Sequence, residues 1–307
     1  MPYFGEILSL VVAVCFTAAA LFCEAATKRV GVTVFNVYRM GVSLLFLAIV
    51  LLFLSGSPYP RYAGWDTWLW MLASGIIGFF LGDWCLFKGY LAIGARYGQL
   101  LFTLNPIFAV LSAWLLLGQR LAWTSFVAIA VTLSGIMICV LGKGEGKGIS
   151  VQLPLKGVFY GVGAAIGQGL GYVVGIVGMN LYKADAPAAF SSDIPIAANF
   201  IRCAAGFAGF LLWQMSVGDR RQLFAGFRDR SYLRVASAAV LAGPILGVVL
   251  SLEAARHCDA GVASTLMSTT PIIILIPTYY LYKQAITAKM LLGSVVTVVG
   301  VSLFFLL

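Results

Sequence analysis

GFFLG at residues 78–82 returns as GPILG at residues 243–247. The two motifs belong to a match without gaps in which residues 73–142 lie on residues 238–307, an offset of 165. Glycine and proline mark special backbone geometry rather than hydrophobicity, so their recurrence is more informative than that of apolar residues. The sequence therefore predicts two related halves.

Polar and helix-breaking residues take part in this repeat as well. The recurring residues pair Asn105-Pro106 with Thr270-Pro271, Thr132 with Thr297, Gly135 with Gly300 and, at a slightly different offset, Asn36 and Arg39 with Asn199 and Arg202. The repeat therefore covers more than shared hydrophobicity.

Long apolar blocks fill most of the chain between the repeated motifs. Of the 307 residues, 61% are hydrophobic and only 10% are charged, which a soluble protein of this length could not accommodate. A transmembrane helix needs about 20 apolar residues. Ten blocks of about that length occupy residues 4–24, 34–54, 67–90, 97–117, 121–141, 156–179, 196–217, 232–255, 260–282 and 287–307. We therefore predict an all-α membrane protein with ten transmembrane helices, the first of them a true span rather than a cleaved signal segment.

The repeat divides the predicted helices into two groups of five. We expect a first five-helix repeat over residues 1–142, a glycine-rich flexible linker over 143–155 and a second five-helix repeat over 156–307. An odd number of spans in each half makes the second half enter the membrane in the opposite sense. Inverted repeats are typical of secondary transporters, which bind substrate near the membrane midplane between the halves. The organisation therefore favours transport by alternating access.

Charge and cysteine content exclude several other classes of function. The net charge of +9 comes from loops and is not accompanied by a basic, aromatic-rich nucleic-acid surface. The six cysteines show no metal-binding spacing. The single histidine and the scarcity of intramembrane acids argue against a membrane-embedded enzyme. We therefore expect no catalytic residues, metal, cofactor or nucleic acid, and the lipid bilayer and a small-molecule substrate as partners.

The loop charges also predict an orientation. Loops on the side of the two termini carry only Arg61, Arg120, Lys183 and Arg256, and the denser basic group around residues 220–234 lies on the other side. Cytoplasmic loops are enriched in Lys and Arg, so the charge distribution places both termini outside. We expect a multi-pass protein of the plasma (inner) membrane.

Asp83 is the most deeply placed acidic residue of the apolar blocks. A charged side chain at the bilayer centre costs about 2.5–3.5 kcal/mol by insertion scales, so its presence needs a reason. Arg39 of the second predicted helix lies at the same depth. Three interpretations remain open: a structural Arg39–Asp83 ion pair, a site for a proton or substrate, and a water-exposed residue without a role. Because the repeat places Val248 opposite Asp83, the acid is not part of the shared scaffold.

Helical spacing and polarity predict which residues face a cavity between the halves, lined by the first, third, fourth, sixth, eighth and ninth helices. Pro106 and Pro271 break the fourth and ninth helices at equivalent points, where a freed carbonyl is tolerated beside a cavity. The predicted cavity residues are Phe16, Asp83, Tyr90, Asn105, Gln168, Tyr172 and Thr270.

The chain resembles the EamA type of the drug/metabolite transporter superfamily. The resemblance rests on residues 95–106 (ARYGQLLFTLNP), residues 117–121 (LGQRL) and Gly135, and on the second copy from Ala260 through Pro271 to Gly300. The family usually has Glu where this chain has Gln119 and Gln284. The resemblance implies transport without ATP, by proton coupling, facilitated diffusion or exchange, and it also implies cytoplasmic termini, in contrast to the charge distribution.

Several substrates and classes of function remain open at this point. We favour an exporter or exchanger of a small organic metabolite such as an amino acid. The alternatives are an exporter of organic cations or drugs, a carrier similar to those of nucleotide sugars, and, outside transport, a membrane-embedded enzyme or a receptor. A single unpaired acid in the cavity would favour cations, and a cluster of basic residues would favour phosphates.

Overall fold

The computed structural model describes residues 3–118, 123–143, 149–151, 153–218, 221–223, 229–247, 250, 254, 257, 266–283 and 285–306. Gln119, Gln284 and Val248 lie outside the described residues, as do parts of the predicted linker and of the eighth and ninth predicted spans.

The first half consists of helices that follow the predicted apolar blocks. They are α1 (Phe4–Val30), α2 (Val32–Ser55), α3 (Trp65–Gly75), a first π segment (Ile76–Gly82), α4 (Asp83–Phe102), α5 (Asn105–Leu117) and α6 (Trp123–Val140). The third block is longer than predicted, because α3, the π segment and α4 form one continuous helical run over Trp65–Phe102. Gly94, with φ 78° and ψ 160°, kinks this run and separates the third span from the fourth.

The second half repeats the pattern after a short connection. It consists of α7 (Leu155–Asp185), α8 (Ile194–Ser216), α9 (Arg230–Val240), a second π segment (Leu241–Gly247), α10 (Thr270–Ile273), α11 (Leu275–Tyr282) and α12 (Ala288–Leu306), with a 3-10 turn at Ala188–Phe190. In the connection, β1 (Leu141–Lys143) pairs antiparallel with β2 (Ile149–Val151). Apart from these two short strands and the turns, the regular structure of the described residues is helical, as predicted.

The helix boundaries of the two halves recur at the offset of 165 found in the sequence. Thus α3 over Trp65–Gly75 corresponds to α9 over Arg230–Val240, and the π segment Ile76–Gly82 corresponds to Leu241–Gly247. The π segments contain the motifs GFFLG and GPILG. Because π-helical turns are rare, their recurrence at one offset is strong evidence that the halves share a backbone.

The fifth helices of the two halves, α6 and α12, form the most extensive helix contact of the described residues. Gly135 of α6 packs against the backbone of Thr297, and Gly300 of α12 packs against the backbone of Thr132. Residue numbers rise along one helix as they fall along the other, so the helices are antiparallel. Since Thr132 and Gly135 are the repeat equivalents of Thr297 and Gly300, each half offers the same residues to the other, as across a two-fold axis.

The remaining helices also pack mainly across the halves. Helix α1 packs against α9 and the second π segment, and α7 packs against α3, α4 and the first π segment. The second helices of the two halves, α2 and α8, pack against each other. This exchange encloses a central space whose walls come from both halves.

Six helices of the described chain are long and apolar enough to cross a membrane. They are Phe4–Val30, Val32–Ser55, Trp65–Phe102, Trp123–Val140, Leu155–Asp185 and Ile194–Ser216. Three shorter apolar helices, Asn105–Leu117, Thr270–Tyr282 and Ala288–Leu303, match the predicted fourth, ninth and tenth blocks. The fold is therefore that of a multi-pass helical membrane protein.

Candidate functional site

A cavity of about 790 Å³ lies between the halves, and all the residues predicted to face it contribute to its walls. These are Phe16, Asp83, Tyr90, Asn105, Gln168, Tyr172 and Thr270. The predicted ion-pair partner Arg39 and the predicted helix breaks Pro106 and Pro271 line the cavity as well. Most of the remaining lining is aliphatic or aromatic. Deep, mostly apolar cavities with a few placed polar groups are the usual form of small-molecule sites.

Asp83 and Arg39 form an ion pair in the cavity wall. The Asp83 side chain is only 5% exposed and that of Arg39 only 14%. Arg39 Nε also donates to the Asn36 side-chain oxygen at 3.2 Å, and its guanidinium lies 5.0 Å from the centroid of the Phe87 ring. The acid at this depth is therefore compensated by a base that is itself held in place.

Gln168 of α7 connects this pair to the first π segment. Its Nε2 donates to Asp83 Oδ1 at 2.7 Å and to the Gly78 carbonyl at 3.1 Å. Gly167 and Gly171, on either side of Gln168, pack against the backbones of Gly82 and Gly78, since a Cβ on either would lie 2.7–2.8 Å from a Cα there. The glycines of α7 therefore bring the Gln168 amide within reach of Asp83 in the other half of the protein.

Arg202 of α8 is a cavity residue that the sequence analysis did not select. Its guanidinium lies 4.4 Å from the centroid of the Phe79 ring, and its Nε is buried with no hydrogen-bond partner. The repeat had already paired Arg202 with Arg39, which was the signal that could have identified it. The predicted set of lining helices was incomplete, because the second and seventh predicted spans, which are α2 and α8, also line the cavity through residues such as Ser43 and Asn199.

Other predicted residues occupy less polar parts of the wall. Tyr90 is 1% exposed, and its hydroxyl accepts a hydrogen bond of 2.7 Å from Gln99 Nε2. Phe16 packs against Gly247 of the second π segment, where a Cβ would lie 2.6 Å from the Phe16 ring. Tyr172 is 55% exposed although it borders the cavity. Whether these residues touch a substrate stays a prediction.

The two predicted helix breaks have the same backbone structure. Pro106 and Pro271 lie at the starts of α5 and α10, each after a tight turn. In these turns the amide of Leu104 donates to the Leu101 carbonyl at 3.1 Å, and that of Thr269 donates to the Leu266 carbonyl at 3.2 Å. Both breaks border the cavity, where irregular backbone inside a membrane is tolerated.

No group of three or more His, Cys, Asp or Glu residues that could hold a metal ion occurs among the described residues. Among the described residues, the charged side chains that line the cavity are Arg39, Asp83 and Arg202. Two bases against one acid give this described part of the lining a formal excess of one positive charge. Such a wall can bind and orient a polar solute.

Comparison with known proteins identifies the family. A sequence model described as the EamA-like transporter family matches twice, over residues 3–141 and 155–306. The chain belongs to the EamA-like transporter family. This confirms the family resemblance and the presence of two EamA repeats, and it identifies the chain as an integral membrane protein of a transporter family.

Proteins of known structure also resemble this chain. In total, 17 chains of known structure match. One, described only as the crystal structure of a protein, has a TM-score of 0.63 and 15% identity, and the match covers 98% of this chain and 96% of that one. At this identity the likeness concerns the fold alone. No curated protein sequence gives a significant match.

Proposed function

We propose that this EamA-like chain is a secondary transporter that moves a small organic metabolite, such as an amino acid, across the plasma membrane by alternating access. The observation that carries the proposal is the cavity of about 790 Å³ walled by both halves, with polar side chains at membrane depth. The cavity has room for a metabolite of amino-acid size. We favour export or exchange as the mode, on the basis of the family.

Alternating access requires two halves that rock about a central site, and we propose that the halves are inverted five-helix repeats joined near residues 143–155. The antiparallel packing of α6 and α12, with its reciprocal Gly135–Thr297 and Gly300–Thr132 contacts, supports this arrangement. When two membrane-crossing helices are antiparallel equivalents, the axis that relates them lies in the membrane plane.

Among the substrate alternatives, the cavity charges favour a metabolite over an organic cation. Asp83 is engaged by Arg39 and Gln168, so no free acid awaits a cation on the described part of the wall. A nucleoside diphosphate sugar carries two phosphate charges, for which Arg202 alone is a poor match. A membrane-embedded enzyme is disfavoured by the family assignment.

Proton coupling is proposed to run through Asp83. Protonation of its carboxylate would remove the charge that holds Arg39 and would free the two helices that the ion pair joins. The titratable and charged groups that interact with Asp83 in the described chain are Arg39 from α2, Arg202 and Cys203 from α8, Cys23 from α1 and Tyr90 from α4 itself. Asp83 is the carboxylic acid among these groups, so protonation of Asp83 is the step that can change the Arg39–Asp83 ion pair.

A flux measurement tests the proposed function. Proteoliposomes with the full chain should take up labelled L-leucine, L-phenylalanine or 2-phenylethylamine faster than empty liposomes. Val50→Trp, which fills the cavity wall of α2, should slow this uptake at least tenfold. Its neighbour Ile49, 45% exposed on the outer face of α2, provides the control Ile49→Trp, which should transport normally. Uptake no faster than in empty liposomes for every probe would refute the proposal.

The orientation has its own test. We retain the prediction from the loop charges that both termini lie outside. A reporter enzyme fused after Leu307 that is active only outside the cytoplasm should therefore give a signal. A signal from a reporter that is active only in the cytoplasm, fused at the same position, would show instead that the C-terminus is cytoplasmic.

A further inference from the structure

The two halves of the chain carry the same Asn–Arg pair on their second helices, but the pairs are used differently. In the first half, Arg39 Nε donates to Asn36 at 3.2 Å, and the guanidinium pairs with Asp83. In the second half, Arg202 Nε is buried without a partner. Asn199 lines the cavity three residues before Arg202. The second pair is thus left open towards the cavity.

The missing partner can be traced in the sequence. At the offset of 165, the position equivalent to Asp83 is Val248, so the repeat gives the second half no carboxylate at that position. An arginine stays charged at any physiological pH, and at membrane depth a cation without a hydrogen-bonded counter-ion is unfavourable. Arg202 is therefore a cation whose repeat equivalent shows what its partner should be, a carboxylate.

The position of Arg202 is fixed by close packing. A Cβ on Gly75 would lie 2.5 Å from the Arg202 carbonyl oxygen, so α8 lies directly on α3 at this residue. The guanidinium extends along the first π segment, over the ring of Phe79, and Arg202 Nη2 would lie 3.3 Å from a Cβ on Gly78. This support holds the guanidinium at the cavity wall in the absence of an anion, so little order has to be gained on binding.

We propose that Arg202, together with Asn199, binds a carboxylate group of the transported metabolite, which takes the place that Asp83 occupies in the first half. A guanidinium binds a carboxylate through two parallel N–H···O bonds, and the Asn199 amide supplies a further donor. The bound carboxylate balances the excess positive charge of the cavity lining. This inference rests on the proposed transport function and defines its substrate class as carboxylates with an apolar remainder.

The geometry also leaves room for a rival role of Arg202. Gln168 lies beside Gly78, between the Asp83 carboxylate and the Arg202 guanidinium, since its Oε1 would be 3.7 Å from a Cβ on Gly78. Asp83 could therefore exchange Arg39 for Arg202 in another state of the transport cycle. In that case Arg202 would matter equally for every substrate, and a preference for carboxylates would not depend on it.

Ligand-induced stabilisation separates these roles. The melting temperature of the purified full chain is measured with 3-phenylpropanoate, 4-methylpentanoate, L-phenylalanine and L-leucine, and with the primary amide of each, since a ligand stabilises by mass action. In the native chain, we expect at least one acid to raise the melting temperature with a half-saturating concentration at least tenfold below that of its amide. Arg202→Gln should abolish this difference, and Arg202→Lys should retain part of it.

Lys88→Gln is the matched control. Like Arg202→Gln it removes one positive charge, but from α4, at a residue outside the cavity lining whose Nζ lies 5.7 Å from the centroid of the Trp84 ring. This variant should keep the native preference for acids. The proposal is overturned if acids stabilise the native chain no more than their amides, or if folded Arg202→Gln keeps the preference. The binding comparison decides this without flux data. Uptake of the amides or of 2-phenylethylamine without any preference for acids would leave transport standing and remove only the carboxylate site.

Discussion

At the scale of single residues, Asp83 and Arg39 place a compensated charge pair where the chain could have had apolar side chains. The pair is buried, and Gln168 supplies a second hydrogen bond to the acid at 2.7 Å. Removing one partner of a buried pair leaves an uncompensated charge, which costs about 3–5 kcal/mol. Asp83→Asn should therefore lower the melting temperature of the purified chain, and Arg39→Met in the same chain should restore most of the loss.

The same two variants test proton coupling. The double variant Asp83→Asn/Arg39→Met has no titrating acid and no unpaired arginine at this position, so it should fold but lose the dependence of flux on a proton gradient. The measurement is uptake into proteoliposomes with and without an imposed pH gradient. If a folded Asp83→Asn variant transports with the full pH dependence of the native chain, Asp83 is not the coupling residue.

Gly94 is a second residue with an individual role, because its φ of 78° and ψ of 160° are accessible almost only to glycine. The kink frees the amide of Ala95, which donates at 2.8 Å to the carboxylate of Glu24, a buried residue of α1 paired with Lys28. A Cβ at Gly94 would meet only one atom, at 3.9 Å, so the cost of Gly94→Ala is backbone strain.

We expect Gly94→Ala to destabilise the chain by about 1–3 kcal/mol, the usual cost of such a backbone conformation. Thermal unfolding of the purified protein provides the measurement. Gly89→Ala in the same helix is the control, because its Cβ would make only ordinary contacts at 3.6 Å or more. Equal melting temperatures for the two variants would show that the kink is not strained.

At the scale of secondary-structure elements, the contact between α6 and α12 joins the two halves. Gly135 and Gly300 each pack against the backbone of a threonine on the other helix, where a Cβ has no room. Overpacking of this kind typically costs about 1–3 kcal/mol. Gly135→Ala and Gly300→Ala should therefore lower the melting temperature by similar amounts, since the contacts are reciprocal.

Met137 offers a control on the same element. It is 50% exposed on another side of α6, so Met137→Ala should leave the melting temperature nearly unchanged. Very different losses for Gly135→Ala and Gly300→Ala would argue against the equivalence of the two helices.

At the scale of the whole molecule, alternating access requires the cavity to open in turn to each side of the membrane. Gln168 and Asn105 both line it, from α7 and α5 respectively. In a chain whose native cysteines have been replaced, Gln168→Cys and Asn105→Cys should react with a membrane-impermeant thiol reagent added from either side. Leu115→Cys, 72% exposed on the outer face of α5, should be protected by lipid. If neither cavity cysteine reacts from any side, the cavity is not a transport pathway.

The sequence by itself determined the helical membrane class, the two EamA repeats and several of the polar cavity residues. Apolar blocks of membrane-spanning length leave few alternatives, and Asn105, Gln168 and Asp83 stand out because a polar residue there needs a reason. It also located the breaks at Pro106 and Pro271, since proline acts locally on its own helix.

Only the tertiary structure decided how these residues are used. The π segments at Ile76–Gly82 and Leu241–Gly247 were not predicted, and each of them packs against a helix of the other half, α7 or α1. The different roles of Arg39 and Arg202 likewise follow from what faces each guanidinium. Each arginine follows an asparagine by three residues, but α4 presents Asp83 to Arg39, whereas the first π segment places the Phe79 ring against the guanidinium of Arg202.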